Sequence, residues 1–229
     1  IVKQTQKTNF EHVIIDGSSN DGSVELLKSY SKEYNNTVCL SEPDDGIYNA
    51  MNKGLSKASR KMVAFLNSGD VLASNTILEQ LIIFLQNYDQ SDIVYGDIRV
   101  VNADGASIRN WRSGKYSRYK LLTGWMPPHP MTMINLEMIR KIGGFNEKYG
   151  IAADYELLFR VINNNNARIE YYPHLLVKME QGGVSNGSLQ NIVKSNLEVL
   201  EIWRQNWHFV PYWIFIAKPT RKLLQYFYN

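Results

Sequence analysis

Cysteine is nearly absent: Cys39 is the only one in 229 residues. An internal disulfide is therefore excluded, a reducing, cytoplasmic setting is the natural reading, and no spacing of Cys and His resembles a zinc site. Long apolar runs are also missing. None reaches about 18 residues, so the sequence offers neither a conventional spanning helix nor a signal peptide. Excess charge of one sign is lacking too, because 25 Lys and Arg stand against 22 Asp and Glu for a net +3. That balance reads as small and evenly spread, and no nucleic-acid partner is expected from it. Neither G-x-G-x-x-G nor G-x-x-x-x-G-K-[ST] occurs, which argues against a dinucleotide fingerprint and a P-loop. There is no internal repeat, and with 15 Gly and 7 Pro no collagen-like or low-complexity composition. What remains, 44% hydrophobic and 21% charged residues, is the make-up of a globular chain with a sizeable core.

Strand-like and helix-like patterns alternate through the first hundred residues, the arrangement of an α/β sheet covered by helices. The β-branched run from His12 to Ile15 ends at Asp16-Gly17-Ser18. Val24, Leu27, Tyr30 and Tyr34 follow at nearly helical spacing, with Asp21 as the expected N-cap and an end near Asn35-Asn36. Thr37 to Leu40 predict a second strand. After SEPDDG, Ile47, Met51, Leu55 and Ala58 predict a second helix. Met62 to Leu66 read as a third strand ending at NSGD, and Ile77, Leu81, Phe84 and Leu85 as a third helix. Asp92 to Asp97 predict a fourth strand, after which Ile98 to Val101 and Ile108 to Trp111 flank the turn NADG as a hairpin. The prolines of WMPPHPMTM exclude a helix and predict a loop entering a strand at Met131 to Ile134. Asp154 to Val161 predict a short helix, Arg168 to Lys178 a strand, and the segment from Leu189 two helices broken near Pro211. Residues 203–229 hold 9 of the 27 aromatic residues.

In an open α/β sheet, ligands bind beyond the carboxyl ends of the strands. The residues expected there are acidic: Asp16; Glu42, Asp44 and Asp45; Asp70; and Asp97. Carboxylates on one rim can bind a hard divalent cation, accept hydrogen bonds from a ribose or base, or take up a proton. Each also has a plain structural reading. Asp16 can cap its own turn, Asp45 can be an N-cap, Asp70 can hold an exposed turn or cap the helix after it, and Asp154 can cap its helix. Cys39 reads as a buried, small apolar residue.

Six segments in order, EHVIIDGSSNDGS, SEPDDGIYNAMNKG, FLNSGD, the PHP segment, GIAADYELLFRV and GGVS, make the chain from about Phe10 to Ser185 resemble the family 2 glycosyltransferases. These are inverting enzymes with a GT-A nucleotide-sugar-binding fold, and the likeness is greatest to bacterial members that build surface polysaccharides. The resemblance implies a Rossmann-like, mostly parallel mixed sheet between helices, lacking its first strand in this sequence. It implies a GT-A domain over residues 1–187 and an aromatic-rich helical extension over residues 188–229. The implied donor is a nucleoside diphosphate sugar and the implied acceptor a saccharide or lipid-linked saccharide.

By the same resemblance, Asp16, with Ser18 beside it, contacts the nucleotide base or ribose, and Asp44 and Asp45 lie near nucleotide and sugar. NSGD occupies the place of the family's D-x-D metal motif. Asn67 and Gly69 stand where carboxylates often occur, so Asp70 is the one carboxylate left for Mg²⁺ or Mn²⁺, with water and substrate phosphates completing the shell. Asp154 matches the catalytic base, and Glu156, which points elsewhere on a helix, is the weaker candidate. His129 is implied to meet substrate, and Gly182 to Ser185, with Gly183 central, to form a mobile loop over the diphosphate. The tail interleaves aromatics with Arg204, Lys218, Arg221 and Lys222. That pattern suits a bilayer interface, as in a protein peripheral to the cytoplasmic membrane face. It suits equally two helices that pack on the domain or on a second subunit as a homodimer. A noncatalytic nucleotide-sugar-binding or partner-binding module is the alternative of another class, motivated by the absent strand and the thinned metal motif.

Overall fold

The computed structural model describes residue 4 and residues 9–164, 166–182, 188–207 and 209–226. Eight strands and eight helices occur among them: β1 (His12–Asp16), α1 (Ser23–Glu33), β2 (Thr37–Ser41), α2 (Ile47–Lys57), β3 (Met62–Val63), β4 (Val71–Leu72), α3 (Ile77–Asn87), β5 (Ile93–Val101), β6 (Ser107–Trp111), α4 (Arg118–Leu122), β7 (Met133–Asn135), α5 (Leu136–Lys141), α6 (Ala153–Ile162), β8 (Ile169–Glu180), α7 (Leu189–Asn206) and α8 (Ile214–Leu224). This is the expected α/β order with C-terminal helices.

The sheet is mixed. β1 and β2 form a parallel pair, and a six-stranded sheet runs β3-β7-β5-β8-β4, with β6 on β5. β5 and β8 are parallel. β7 is antiparallel to both β3 and β5, so β3, β5 and β8 point the same way with β7 inserted against them. Between the two sheets lies an apolar cavity of about 740 Å³, lined by Val13 and Ile15 of β1, Met62 and Val63 of β3, Met51 of α2 and Leu78 of α3. The unpaired edges of β1 and β3 border it.

Several boundaries move for local reasons. α1 is capped by Gly22 at φ 92°, a left-handed conformation open to glycine, while Asp21 accepts from Ser23 N at 3.0 Å one residue outside. The helix ends at Glu33, earlier than expected, where Tyr34 turns to an extended conformation. Gly46, at φ 107°, and not Asp45, is the cap of α2. β3 is two residues long because the chain peels away after the Val63–Ile134 pair, and Phe65 O then accepts from Met131 N at 2.9 Å. β5 continues through Asp97 to Val101. Its register against β8 shifts on either side of Asp97, beside Pro173 of β8, which has no N–H to give the ladder. A Cβ on Gly96 would stand 2.7 Å from His174 O, so glycine is what lets the strands close there.

One core cluster joins β5, β7, α5 and α6 to both C-terminal helices. Leu157, Phe159, Trp203 and Ile214 are all fully buried within it. A second lies under α3 around Leu81, Ile98 and Val177. Cys39 is half-buried, its thiol 3.6 Å from Leu27 O.

Candidate active site

The ends of β1 and β2 bring two of the expected carboxylates together. Asp16 accepts from Ser19 N (3.0 Å), Ser19 Oγ (2.5 Å) and, across to β2, Ser41 Oγ (2.7 Å). The Ser19 and Ser41 hydroxyls hold its carboxyl below the usual range. Asp16 thus ties the turn as the structural reading has it, with its carboxylate ionised. Ser18 is exposed, in a left-handed conformation at φ 64°. A Cβ on Gly17 would lie 3.2 Å from Asp44 Oδ2, which shows how closely the two turns approach. Asp44 pairs with Lys53 at 2.5 Å, and Glu42 pairs with the same ammonium at 3.0 Å. Asp45 is exposed and its N–H reaches Asn49 Oδ1 at 3.4 Å.

Asp70 is not the exposed turn residue expected. It is half-buried at the entry to β4, and its Oδ2 is buried with no hydrogen-bond partner among the described residues. Burial raises its pKa to about 6, partly offset by the Asn67 backbone. It does not cap α3, which starts seven residues later at Ile77 behind Thr76. Its N–H closes the turn onto Asn67 O at 3.1 Å. A desolvated carboxylate oxygen with no donor fits a hard cation chemically. No group of three or more His, Cys, Asp or Glu able to hold a metal occurs among the described residues. Asp70 therefore suits a cation that takes its other ligands from water and phosphate.

Asp154 lies in the first turn of α6. Its Oδ1 accepts from Tyr155 N at 2.7 Å and from Tyr48 Oη at 3.4 Å; the same hydroxyl donates to Ile151 O at 2.7 Å. Tyr48 belongs to SEPDDGIYNAMN, so two segments far apart in sequence meet at this carboxylate. Burial, then the Asp154 charge, push the Tyr48 phenol pKa up, leaving it a neutral donor. The loop entering α6 is held by Glu198 of α7, whose carboxylate accepts from the N–H groups of Gly150 (3.2 Å), Ile151 (3.0 Å) and Ala152 (2.7 Å). Glu156 is buried in a two-point pair with Arg160 at 2.6 and 2.7 Å, which removes it as a rival base.

His129 is buried rather than presented at a loop surface. Its ring stacks on Phe65 (5.4 Å) and meets Phe145 edge-on (5.8 Å), and Nε2 is buried without a hydrogen-bond partner among the described residues. Burial lowers its pKa against an opposite pull from Asp154, so the ring is neutral. On the far side, Lys218 of α8 sets its ammonium 4.8 Å from the Tyr155 ring centroid. Burial lowers its pKa as well, and Asp154 again pulls the other way. Lys218 fits only because residue 124 is glycine: a Cβ there would lie 2.6 Å from Lys218 Cγ.

Asp16 and Asp44 therefore share one corner, and Tyr48, Asp154, His129 and Lys218 another. Among the described residues no hydrogen bond or ion pair joins Asp70 to either. Asp97 is not at the rim. It sits inside β5 and accepts from Ser113 N and Tyr171 Oη, both at 2.8 Å. Gly183 and Ser185 lie outside the described residues. Glu198 and Lys218 had no sequence signal as site residues, because each acts on a segment set by the fold and not by neighbours in the chain, whereas Lys53 lies within SEPDDGIYNAMNKG beside the carboxylates it pairs with.

Comparison with known proteins supplies the context. The Glycosyl transferase family 2 profile matches residues 1–143. A PGL/p-HBAD biosynthesis glycosyltransferase of Mycobacterium tuberculosis is 28% identical over 182 residues, covering 78% of this chain and 68% of that protein. Staphylococcus aureus TarS 1-349 in complex with UDP-GlcNAc superposes with a TM-score of 0.60 at 15% identity, over 91% of this chain and 68% of that one. A Pyrobaculum calidifontis mannosyltransferase in complex with GDP-Man and Mn²⁺ superposes with a TM-score of 0.59 at 14% identity, over 91% and 59%. At those identities the two structures establish the GT-A fold alone.

Proposed function

The chain belongs to glycosyl transferase family 2, and on that premise we propose that it transfers a sugar, with inversion, from a nucleoside diphosphate sugar to a hydroxyl of a saccharide or lipid-linked saccharide. The observation that carries the reading is the junction at Asp154, a carboxylate oriented by its own helix and by Tyr48, with a neutral His129 nearby. Among the described residues both hydrogen bonds to this carboxylate fall on Oδ1, which leaves Oδ2 for an acceptor hydroxyl. In the reaction the acceptor oxygen attacks the anomeric carbon as its proton passes to Asp154, a new glycosidic bond forms, and the bond to the diphosphate breaks on the opposite face. Glu198 holds the backbone that aims Asp154, a supporting role of the kind that reactive geometry needs.

The donor side of the proposal rests on the other corner. Asp16 and Ser18, with Asp44 and Asp45, border the nucleoside; Asn67 and Asp70 border the diphosphate; Gly183 belongs to the segment proposed to cover it. A Mg²⁺ or Mn²⁺ ion, when bound at Asp70, supplies positive charge to the leaving diphosphate. TarS and the mannosyltransferase carry UDP-GlcNAc and GDP-Man in their structures, which supports a nucleotide-sugar donor without choosing the base. Residues 1–187 act as the catalytic domain in this proposal, and residues 188–229 as an extension that reaches back into it through Glu198 and Lys218.

Incubation with a panel of nucleoside diphosphate sugars, monitoring release of UDP or GDP with and without Mn²⁺, tests the reading. Metal-stimulated release from one donor is expected. Tight donor binding with no turnover on any acceptor supports the noncatalytic nucleotide-sugar module instead.

A further inference from the structure

The net charge of +3 conceals a segregation. Residues 105–136 and 202–229 contain no Asp or Glu, yet carry Arg109, Arg112, Lys115, Arg118 and Lys120, and Arg204, Lys218, Arg221 and Lys222. The fold packs these two stretches on each other. Trp213 Nε1 donates to Leu122 O at 2.7 Å, Arg221 to Thr123 Oγ1 at 2.5 Å, and Arg109 to Gln225 Oε1 at 2.9 Å. Lys115 and Arg118 are exposed and form no ion pair with a described residue, Arg118 lying 5.7 Å from the centroid of the Trp207 ring. Lys120 and Lys218 are less available to solvent, and burial first, then the Arg221 charge, lowers their pKa values.

Beside these cations, α8 is amphipathic in the inverted sense. Its inner face holds Ile214, Lys218 and Arg221 against the domain. Its outer face presents Tyr212, Trp213, Ile216, Leu223 and Leu224, with Ile216 71% and Leu223 61% exposed, and carries no charged residue. Tyr119 of α4, 82% exposed, extends the surface. A water-facing helix ordinarily puts charge on that side. Among the described residues no helix, α8 with its 11 residues included, is long and apolar enough to cross a membrane.

We propose that α8 is a membrane-surface anchor, its outer face entering the headgroup region of an anionic bilayer while Lys115 and Arg118 meet the lipid phosphates. Large apolar and aromatic side chains exposed beside cations without a carboxylate partner are the combination that binds such a surface, and charge complementarity selects anionic lipid over a second copy of a chain that carries the same positive charge. The anchor does not depend on the transfer reaction. One consequence does rest on that reading: because Lys218 joins the inner face of α8 to Tyr155, anchoring would hold the Asp154 end of the site near the bilayer, within reach of a lipid-displayed saccharide.

The test is flotation of the 229-residue chain with phosphatidylcholine vesicles with and without phosphatidylglycerol. Removing the tail would take Ile214 out of the core, whereas the double substitution Ile216→Glu and Leu223→Glu alters exposed positions only. Expected are binding to the anionic vesicles that weakens with salt, a fall of about tenfold or more in partitioning for the double variant, and an unchanged melting temperature and donor hydrolysis. A Lys115→Ala and Arg118→Ala pair should reduce the salt-sensitive part alone. The proposal is overturned if the unaltered chain binds neither vesicle, or if the double variant floats as well as the unaltered chain. A dimer that the double variant dissociates, in the absence of lipid binding, would assign the face to a second copy.

Discussion

Asp70→Asn is expected to stabilise the metal-free protein while removing its activity. The Asp70 carboxyl titrates at about 6 in the folded chain instead of the ordinary 3.8. The folded state therefore binds the proton more tightly. Its contribution to stability is fully present below about pH 4 and is lost as pH rises through about 6. A shift of about two units corresponds to roughly 3 kcal/mol, which partial exposure discounts to about 1–2 kcal/mol of strain at neutral pH. Asn has the same shape without the charge and should recover most of it. For a domain of this size that is a rise of roughly 2–6 °C in melting temperature. The assay is thermal unfolding in chelator at about pH 8 and about pH 4.5, with donor hydrolysis measured in parallel. The variant should melt higher at pH 8 and like the unaltered protein at pH 4.5, with turnover lost. A variant that melts no higher at pH 8, or one that keeps near-normal turnover, would refute the reasoning that this carboxylate is strained in the fold for the sake of a cation.

Two further substitutions probe the scaffold. Gly124→Ala places a Cβ at φ +69° and 2.6 Å from Lys218 Cγ, and should cost about 1–3 kcal/mol; urea unfolding together with limited proteolysis should show α8 loosened first. Glu156→Ala strands the half-buried Arg160 guanidinium, an expected loss of about 3–5 kcal/mol, and donor affinity of the protein that remains folded should not change, since Glu156 has no part in the site.

Local signals made much of this legible in the sequence. The Asp104-Gly105 turn predicts the β5–β6 hairpin correctly because glycine supplies the positive φ of 79° that the turn needs. The helical period around Asp154 places α6 within a residue at each end. The motifs single out Asp70 and Asp154 as candidates but say nothing of their surroundings: the buried Oδ2 of Asp70 depends on packing, and the Tyr48 contact on two segments meeting in space. The sequence pattern ends the strand at Asp97 and so puts it at the rim, but pairing with β8 carries β5 onward and turns Asp97 into an acceptor for Ser113 and Tyr171. The inner and outer faces of α8 could not be told apart from composition, since apolar residues lie all round it and only packing decides which are covered.

The central claim, that Asp154 takes the acceptor proton, is tested most directly by Asp154→Asn, comparing donor affinity with transfer rate in one preparation. Asn keeps an Oδ1 to accept from Tyr155 N and Tyr48 Oη but cannot take up a proton, so the account predicts unchanged donor binding and transfer slower by about 10² to 10⁴. Transfer within a few-fold of normal, or binding that falls in proportion to transfer, would contradict it.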